Sequence, residues 1–163
     1  MTAYVALGAN LGDPLTQLRW AKAELAERYT LSAASGLYQT APVGGPPGQP
    51  DYLNAAVQLE LSPQTTPQTL LMDLQALEAA AGRERRERWA ARTLDLDVLD
   101  VGGHVLDLLG LELPHPRMMT RPFVLRPLSD IAPQWTHPVT GEQVTTRLKE
   151  LDTTDVILTG LSW

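Results

Sequence analysis

The chain contains no cysteine, which excludes disulfides, thiolate zinc sites and cysteine nucleophiles. Its three histidines, His104, His115 and His137, are too scattered for a helical metal-binding pair. Phe123 is the single phenylalanine. No stretch reaches the ~18 apolar residues that span a bilayer. The N-terminal run Met1–Leu7 has no basic lead and too short an apolar core for a signal peptide. Positive charge is also scarce: the formal net charge is −6, which argues against a general nucleic-acid or membrane-surface binder. Together these absences point to a soluble cytoplasmic protein without a nucleic-acid or membrane partner.

What is present fits one domain over residues 1–163. Hydrophobic residues make up 44%, and a chain of this length buries roughly 70% of its unfolded surface. The basic residues are concentrated. Of 13 Lys and Arg, Arg83, Arg85, Arg86, Arg88 and Arg92 share one ten-residue window, and Arg117, Arg121 and Arg126 come soon after. An acidic protein with a local anion trap suits a small phosphorylated ligand.

The pattern predicts a strand over Ala3–Leu7, then a helix opened by Asp13-Pro14 and running to about Tyr29. Leu31–Tyr38 reads as a strand. Ala41–Pro50, with four Pro and three Gly, reads as a long surface loop. Tyr52–Leu61 alternates as a strand. Thr66-Pro67 opens a second helix with Leu70, Leu74 and Leu77 as its stripe and Gly82 as its C-cap. The arginine-rich segment is a second loop, and Thr93–Val101 a further strand. Gly102-Gly103 is expected to close a hairpin into His104–Leu108. Pro114-His115-Pro116 must be irregular. Arg121–Ile131 and Val144–Leu151 read as short helices and Val156–Leu158 as a strand. The order β-α-β-β-α-β plus a C-terminal extension is the ferredoxin-like α+β pattern, an antiparallel sheet with helices packed on one face.

Chemistry concentrates in Arg88-Trp89-Ala90-Ala91-Arg92-Thr93-Leu94-Asp95-Leu96-Asp97. On a strand Asp95 and Asp97 share a face, about 6.6 Å apart along the backbone. Like charges there repel unless a cation sits between them. Hard oxygen ligands suit Mg²⁺, which arrives with phosphates, and arginine forks match phosphate. The alternative is a solvent-facing pair, but Leu94, Leu96 and Val98 bury the opposite face. Asp100 falls on the other face and reads as structural. Arg92, three residues before Asp95, is expected to point back over the carboxylates. The arginine loop is otherwise a solvated charge run at a helix end, but Trp89 is odd in such a run, since an exposed tryptophan waits for a flat partner such as an adenine or pterin ring. Tyr52 and Phe123 are either core aromatics or stacking partners, with Asn54 on the face of Tyr52 to bond a heteroaromatic edge. Gly8-Ala9-Asn10-Leu11-Gly12 lacks a subsequent Gly-Lys-Ser/Thr and reads as a turn, not a phosphate loop. His115 is either a turn residue or a rigidly held phosphate donor.

These blocks, in this order, resemble the 6-hydroxymethyl-7,8-dihydropterin pyrophosphokinases of folate biosynthesis over nearly the whole chain. The likeness runs from Leu7–Gly12 through Tyr38-Gln39-Thr40-Ala41-Pro42, Gln49–Val57, Leu77-Glu78 and Gly82-Arg83. It is densest in Glu87–Asp97 and ends in Pro114–Arg117 and Arg121–Leu128. It implies transfer of pyrophosphate from ATP to the pterin hydroxymethyl oxygen, with release of AMP. It also implies a ferredoxin-like fold with three mobile catalytic loops. Asp95 and Asp97 would bind two Mg²⁺ ions. Tyr52 and Phe123 would sandwich the pterin, Asn54 would bond its edge, and backbone groups around Thr40, Pro42 and Val43 would complete the pocket. Arg83 and Arg92 would steady the transferring phosphates. Arg85, or its neighbour Arg86, would contact ATP together with Trp89, Arg92, His115 and Arg121, with Gln75 and Glu78 near the nucleotide. A monomer is expected. Ala9 and Ala91 replace the family's usual serine and proline, and Gly110 and Glu112 replace nucleotide-contacting residues of some relatives. No residue reads clearly as general base; Asp97 is a candidate through its metal contact. The competing readings are a ligand-sensing module on the same fold and a phosphotransferase or nucleotidyltransferase of another kind.

Overall fold

A computed structural model describes residues 1–42, 47–82 and 94–163. The first strand, β1 (Thr2–Ala9), leads to helix α1 (Pro14–Arg28), strands β2 (Thr30–Ala34), β3 (Tyr38–Thr40) and β4 (Tyr52–Glu60), and helix α2 (Pro67–Ala81). Then come strands β5 (Asp95–Val101), β6 (Leu106–Leu108) and β7 (Leu111–Leu113), helices α3 (Pro122–Ile131) and α4 (Val144–Glu150), and strand β8 (Ile157–Leu158). A single 3₁₀ turn, Met118–Thr120, leads into α3.

Both long helices start as their caps dictate. Asp13 Oδ1 accepts from Thr16 N–H at 3.2 Å and Thr66 Oγ1 from Thr69 N–H at 3.1 Å, each cap preceding a proline at the first helical position. Leu18, Ala21 and Leu25 of α1 and Leu70, Leu74 and Leu77 of α2 are buried against Ala3, Val5, Leu7, Val57, Leu59 and Leu96. That is the predicted α/β face. The sheet order is β5-β1-β4-β3-β8, with β2 also on β4, and all described pairings are antiparallel. This is the ferredoxin-like order.

Four expectations change. Helices cover both faces, because Val124, Leu125 and Leu128 of α3 and Val144 of α4 build a second core against Leu99, Tyr4 and Ala6. The strand read over Leu31–Tyr38 is two strands. Ser35 Oγ takes the Ala56 N–H at 2.8 Å, a side chain replacing a ladder partner, and β3 then pairs further along β4. Gly102 and Gly103 do turn, at φ 59° and 71°, but β6 pairs with β7 in a separate two-stranded sheet rather than returning along β5. Gly8 and Ala9 belong to β1, so the predicted turn begins after them.

Candidate active site

The carboxylate pair is placed by β5. Its register against β1 sets Asp95 beside Gly8 and Asp97 beside Ala6. Both aspartates are half-buried and line a cleft of about 740 Å³. Leu94, Leu96 and Val98 are buried on the side covered by α1 and α2, as the alternation required. Asp100 departs from that alternation. The register shifts so that Asp100 pairs with Tyr4, and the extra residue, Leu99, brings Asp100 to the carboxylates' side of the sheet. There it is 3% exposed. Burial pushes its pKa up, against the Gly103 N–H and the Trp135 indole.

On the other flank of β1, β4 brings Asn54 beside Gly8, with Tyr52 two residues away on the same face. Gly8 therefore lies between Asp95 and Asn54, and the carboxylate and amide strands stand roughly 10 Å apart across two strand spacings. A Cβ at Gly8 would come within 3.0 Å of Asn54 Oδ1, so only glycine leaves this floor open. Asn54 donates through Nδ2 to Thr40 Oγ1 at 2.7 Å, which fixes the amide and leaves its oxygen facing the cleft floor. Tyr52 is half-buried, and its pKa is raised by burial and by the charge of Asp95.

The roof comes from α3. Arg121 caps the helix, Pro122 takes its first position, and Phe123 comes next, half-exposed into the cleft. The Arg121 guanidinium sits 5.8 Å from the Phe123 ring centre. α3 is tied to the sheet by Asp130, which accepts from the Tyr38 hydroxyl at 2.8 Å and the Gly36 N–H at 3.2 Å. Arg126 pairs with Asp130 at 3.0 Å and lies over the Tyr38 ring at 5.3 Å.

Thr40, Pro42, Tyr52, Asn54, Asp95, Asp97, Arg121 and Phe123 thus line one cleft. His115 does not line it, yet the Asp97 and Arg121 charges act on its ring. Burial is the main cause lowering its pKa, with Asp97 opposing and Arg121 and Arg117 reinforcing. Its Nδ1 accepts the Arg117 N–H at 3.2 Å. A neutral ring in that state carries its proton on Nε2, a donor fit for a phosphate oxygen. Glu78 stands outside the cleft and accepts the Leu96 N–H at 3.0 Å, bracing β5 between the two carboxylates. Gln75 is exposed on α2, away from the cleft lining. Gly110 occupies the β6–β7 turn at φ 81°, and Glu112 is exposed on β7. Val43, Arg83, Arg85, Arg86, Trp89 and Arg92 lie outside the described residues.

The cleft also includes residues the sequence did not single out. Ala6 and Gly8 make the floor, and Asp152, Asp155 and Val156 line it from the segment before β8. Small residues at alternate strand positions were the available signal for the floor; nothing local marks the C-terminal segment.

Among the described residues no three acidic or histidine side chains converge as a ready-made metal cage. Two half-buried carboxylates on one face are the donor set that suits Mg²⁺, which keeps waters and phosphate oxygens in its remaining positions.

Comparison with known proteins gives the family. The family model for 7,8-dihydro-6-hydroxymethylpterin-pyrophosphokinase (HPPK) matches residues 4–133. The 2-amino-4-hydroxy-6-hydroxymethyldihydropteridine pyrophosphokinase of Synechocystis sp. is 42% identical over 156 residues, covering 94% of this chain and 78% of the relative. That of Haemophilus influenzae is 39% identical over 150 residues, 91% of each. That of Bacillus subtilis is 42% identical over 134 residues, 81% of this chain and 78% of the relative. A crystal structure of Plasmodium falciparum HPPK-DHPS superposes with a TM-score of 0.69 at 13% identity, over 91% of this chain and 45% of that one. The chain therefore spans less than half of that solved protein, and the likeness carries the fold alone. With a family model matching residues 4–133 and relatives near two-fifths identity along most of its length, the chain belongs to the HPPK family.

Proposed function

We propose that this cleft performs the family's reaction, transfer of pyrophosphate from ATP to 6-hydroxymethyl-7,8-dihydropterin in folate biosynthesis. The pterin hydroxymethyl oxygen attacks the β-phosphorus, the bond between the α,β-bridging oxygen and that phosphorus breaks, AMP leaves, and the hydroxyl proton is released. The observation that supports this reading best is Gly8. Its two neighbours across the sheet are a carboxylate for a metal–phosphate group and an amide for a ring edge, roughly 10 Å apart, a gap for a pterin ring together with its hydroxymethyl arm.

Tyr52 and Phe123 hold the pterin between their rings, while Asn54 and the backbone near Thr40, Pro42 and Val43 read its edge. Asp95 and Asp97 hold two Mg²⁺ ions, which when bound offset phosphate charge. Glu78 keeps their strand from shifting. Arg121 and the His115 Nε2–H face the polyphosphate. Arg83, Arg85, Trp89 and Arg92 act on ATP from the arginine segment, with Gln75 at the periphery. Catalysis is then positioning and charge neutralisation. The 163 residues work as one monomeric pyrophosphokinase domain in the cytoplasm. Among the described residues, no helix is long and apolar enough to cross a membrane.

The test is incubation with ATP, Mg²⁺ and the hydroxymethyl-dihydropterin, with nucleotide chromatography as the readout. AMP formed in step with pterin consumption is expected. ADP or free pyrophosphate as the co-product would assign phosphoryl or nucleotidyl transfer instead.

A further inference from the structure

We propose that Asp155 is a specificity residue for the pterin, its carboxylate accepting hydrogen bonds from the 2-amino and adjacent ring N–H donors. The inference rests on the proposed use of the cleft for pyrophosphate transfer to a pterin.

Sheet order supplies the direction. In the order β5-β1-β4-β3-β8, the aspartate pair and β8 lie at opposite edges, roughly 19 Å apart at about 4.8 Å per strand. Asp155 is therefore too far to join Asp95 and Asp97 around a metal. A dihydropterin carries its hydroxymethyl arm on one ring and its amino group on the other. With the arm aimed at phosphates over β5 and the rings against Tyr52 and Phe123, the amino-bearing edge points toward β3 and β8. The β3–β8 register is Tyr38↔Leu158 and Gln39↔Ile157, and the turn that carries Asp155 runs directly into β8 through Val156. Both Val156 and Asp155 line the cleft.

The segment is held in place. Thr159 donates through both N–H and Oγ1 to Leu37 O at 3.0 Å, and Val156 N–H donates to Thr153 O at 3.0 Å. Leu158 fills the space over Gly36, where a Cβ would meet its Cδ1 at 2.8 Å. Asp152 also reaches the cleft but is engaged in its own turn, accepting from Thr154 N–H at 2.9 Å and from the Thr154 hydroxyl. Asp155 has no hydrogen-bond or ion-pair partner among the described residues. A carboxylate offers two coplanar acceptors to an amino group and a neighbouring N–H, a charge-assisted pairing that Asn54 and backbone groups cannot supply. Asp155 lies outside residues 4–133, the stretch that the family model matches.

The test uses the full chain as wild type, Asp155→Asn and Asp155→Ala. Pterin affinity is read by fluorescence titration with α,β-methylene-ATP and Mg²⁺ present, and AMP release gives kcat and both KM values. The expected result is a rise of about fivefold to tenfold in pterin Kd and KM, with kcat and the ATP KM within twofold of wild type. The wild-type preference for the pterin over its 2-desamino analogue should shrink by a similar factor. Pterin Kd within twofold of wild type, an undiminished preference, or a change confined to the ATP KM overturns the assignment. Wild-type protein that binds pterin but releases no AMP removes the proposed reaction and leaves the titration to decide Asp155. Wild-type protein that binds no pterin removes both.

Discussion

At the scale of single residues, the carboxylate pair was legible because strand alternation is a strict geometric rule. Asp95 and Asp97 share a face, and the buried leucines on the other side anchor it. The rule failed at Asp100 because a register shift is a property of two strands together, invisible in one. If Asp97 is a metal ligand, Asp97→Asn lowers turnover by at least ~10³-fold, the loss of several kcal/mol of charge stabilisation. Circular dichroism should remain that of wild type, since a half-buried cleft residue contributes little to either core. A folded Asp97→Asn enzyme with near-normal turnover in Mg²⁺ would remove the metal role. Phe123 was ambiguous in the sequence, where a lone aromatic is as well explained by the core. In the structure it occupies the first turn of α3, packed against the second core and also lining the cleft, so a substitution must divide the two readings. Phe123→Ala is expected to weaken pterin binding by ~1–3 kcal/mol, by analogy with bases stacking on aromatics, while the urea midpoint moves little. Equal losses in stability and affinity would return Phe123 to the core.

At the scale of elements, caps and periodic stripes were readable because they are local. Asp13-Pro14 and Thr66-Pro67 begin helices where the sequence places them, and Leu70, Leu74 and Leu77 bury as read. The division between β2 and β3 was not readable. It depends on Ser35 meeting Ala56 across the sheet, a contact 21 residues distant. The partner of β6 was misread for a related reason: two glycines announce a turn but do not choose the strand that pairs beyond it. The clamp that sets α3 over the cleft is likewise non-local, since Asp130 gathers Tyr38, Gly36 and Arg126. Asp130→Ala leaves the buried Tyr38 hydroxyl and the Gly36 N–H without their acceptor, and is expected to cost ~2–3 kcal/mol in urea unfolding. Because α3 carries Phe123 and β3 carries Thr40, the pterin KM should rise more than the ATP KM. A stability loss with both KM values unchanged would show that α3 keeps its place without the clamp.

At the scale of the whole molecule, two phenols tie down helices on opposite sides of the sheet, one from the C-cap of α1 to α2 and one from β3 to α3. The Tyr29 hydroxyl donates to Asp73 on α2, and the Tyr38 hydroxyl donates to Asp130 on α3. Burial is the larger cause that raises both pKa values, with the hydrogen bond to the carboxylate second. Tyr38 is pushed up to about 12, against ~10 in an unfolded chain. A group whose folded pKa is raised adds stability that is complete below its unfolded pKa and disappears as pH climbs through the folded one. The contribution of Tyr38 is therefore intact at pH 9 and lost between about pH 10 and 12, to the extent of roughly 2–3 kcal/mol. Other tyrosines and lysines titrate in the same range, so the informative quantity is the difference between proteins. Tyr38→Phe should be less stable than wild type at pH 8, and that gap should narrow steadily as pH rises from 10 to 12, because the variant has no phenol to lose there. Tyr29→Phe should show the same convergence, with its gap persisting at high pH in proportion to its larger shift. Parallel stability curves for Tyr38→Phe and wild type across that window would mean that the hydroxyl–carboxylate contact does not hold α3 to the sheet.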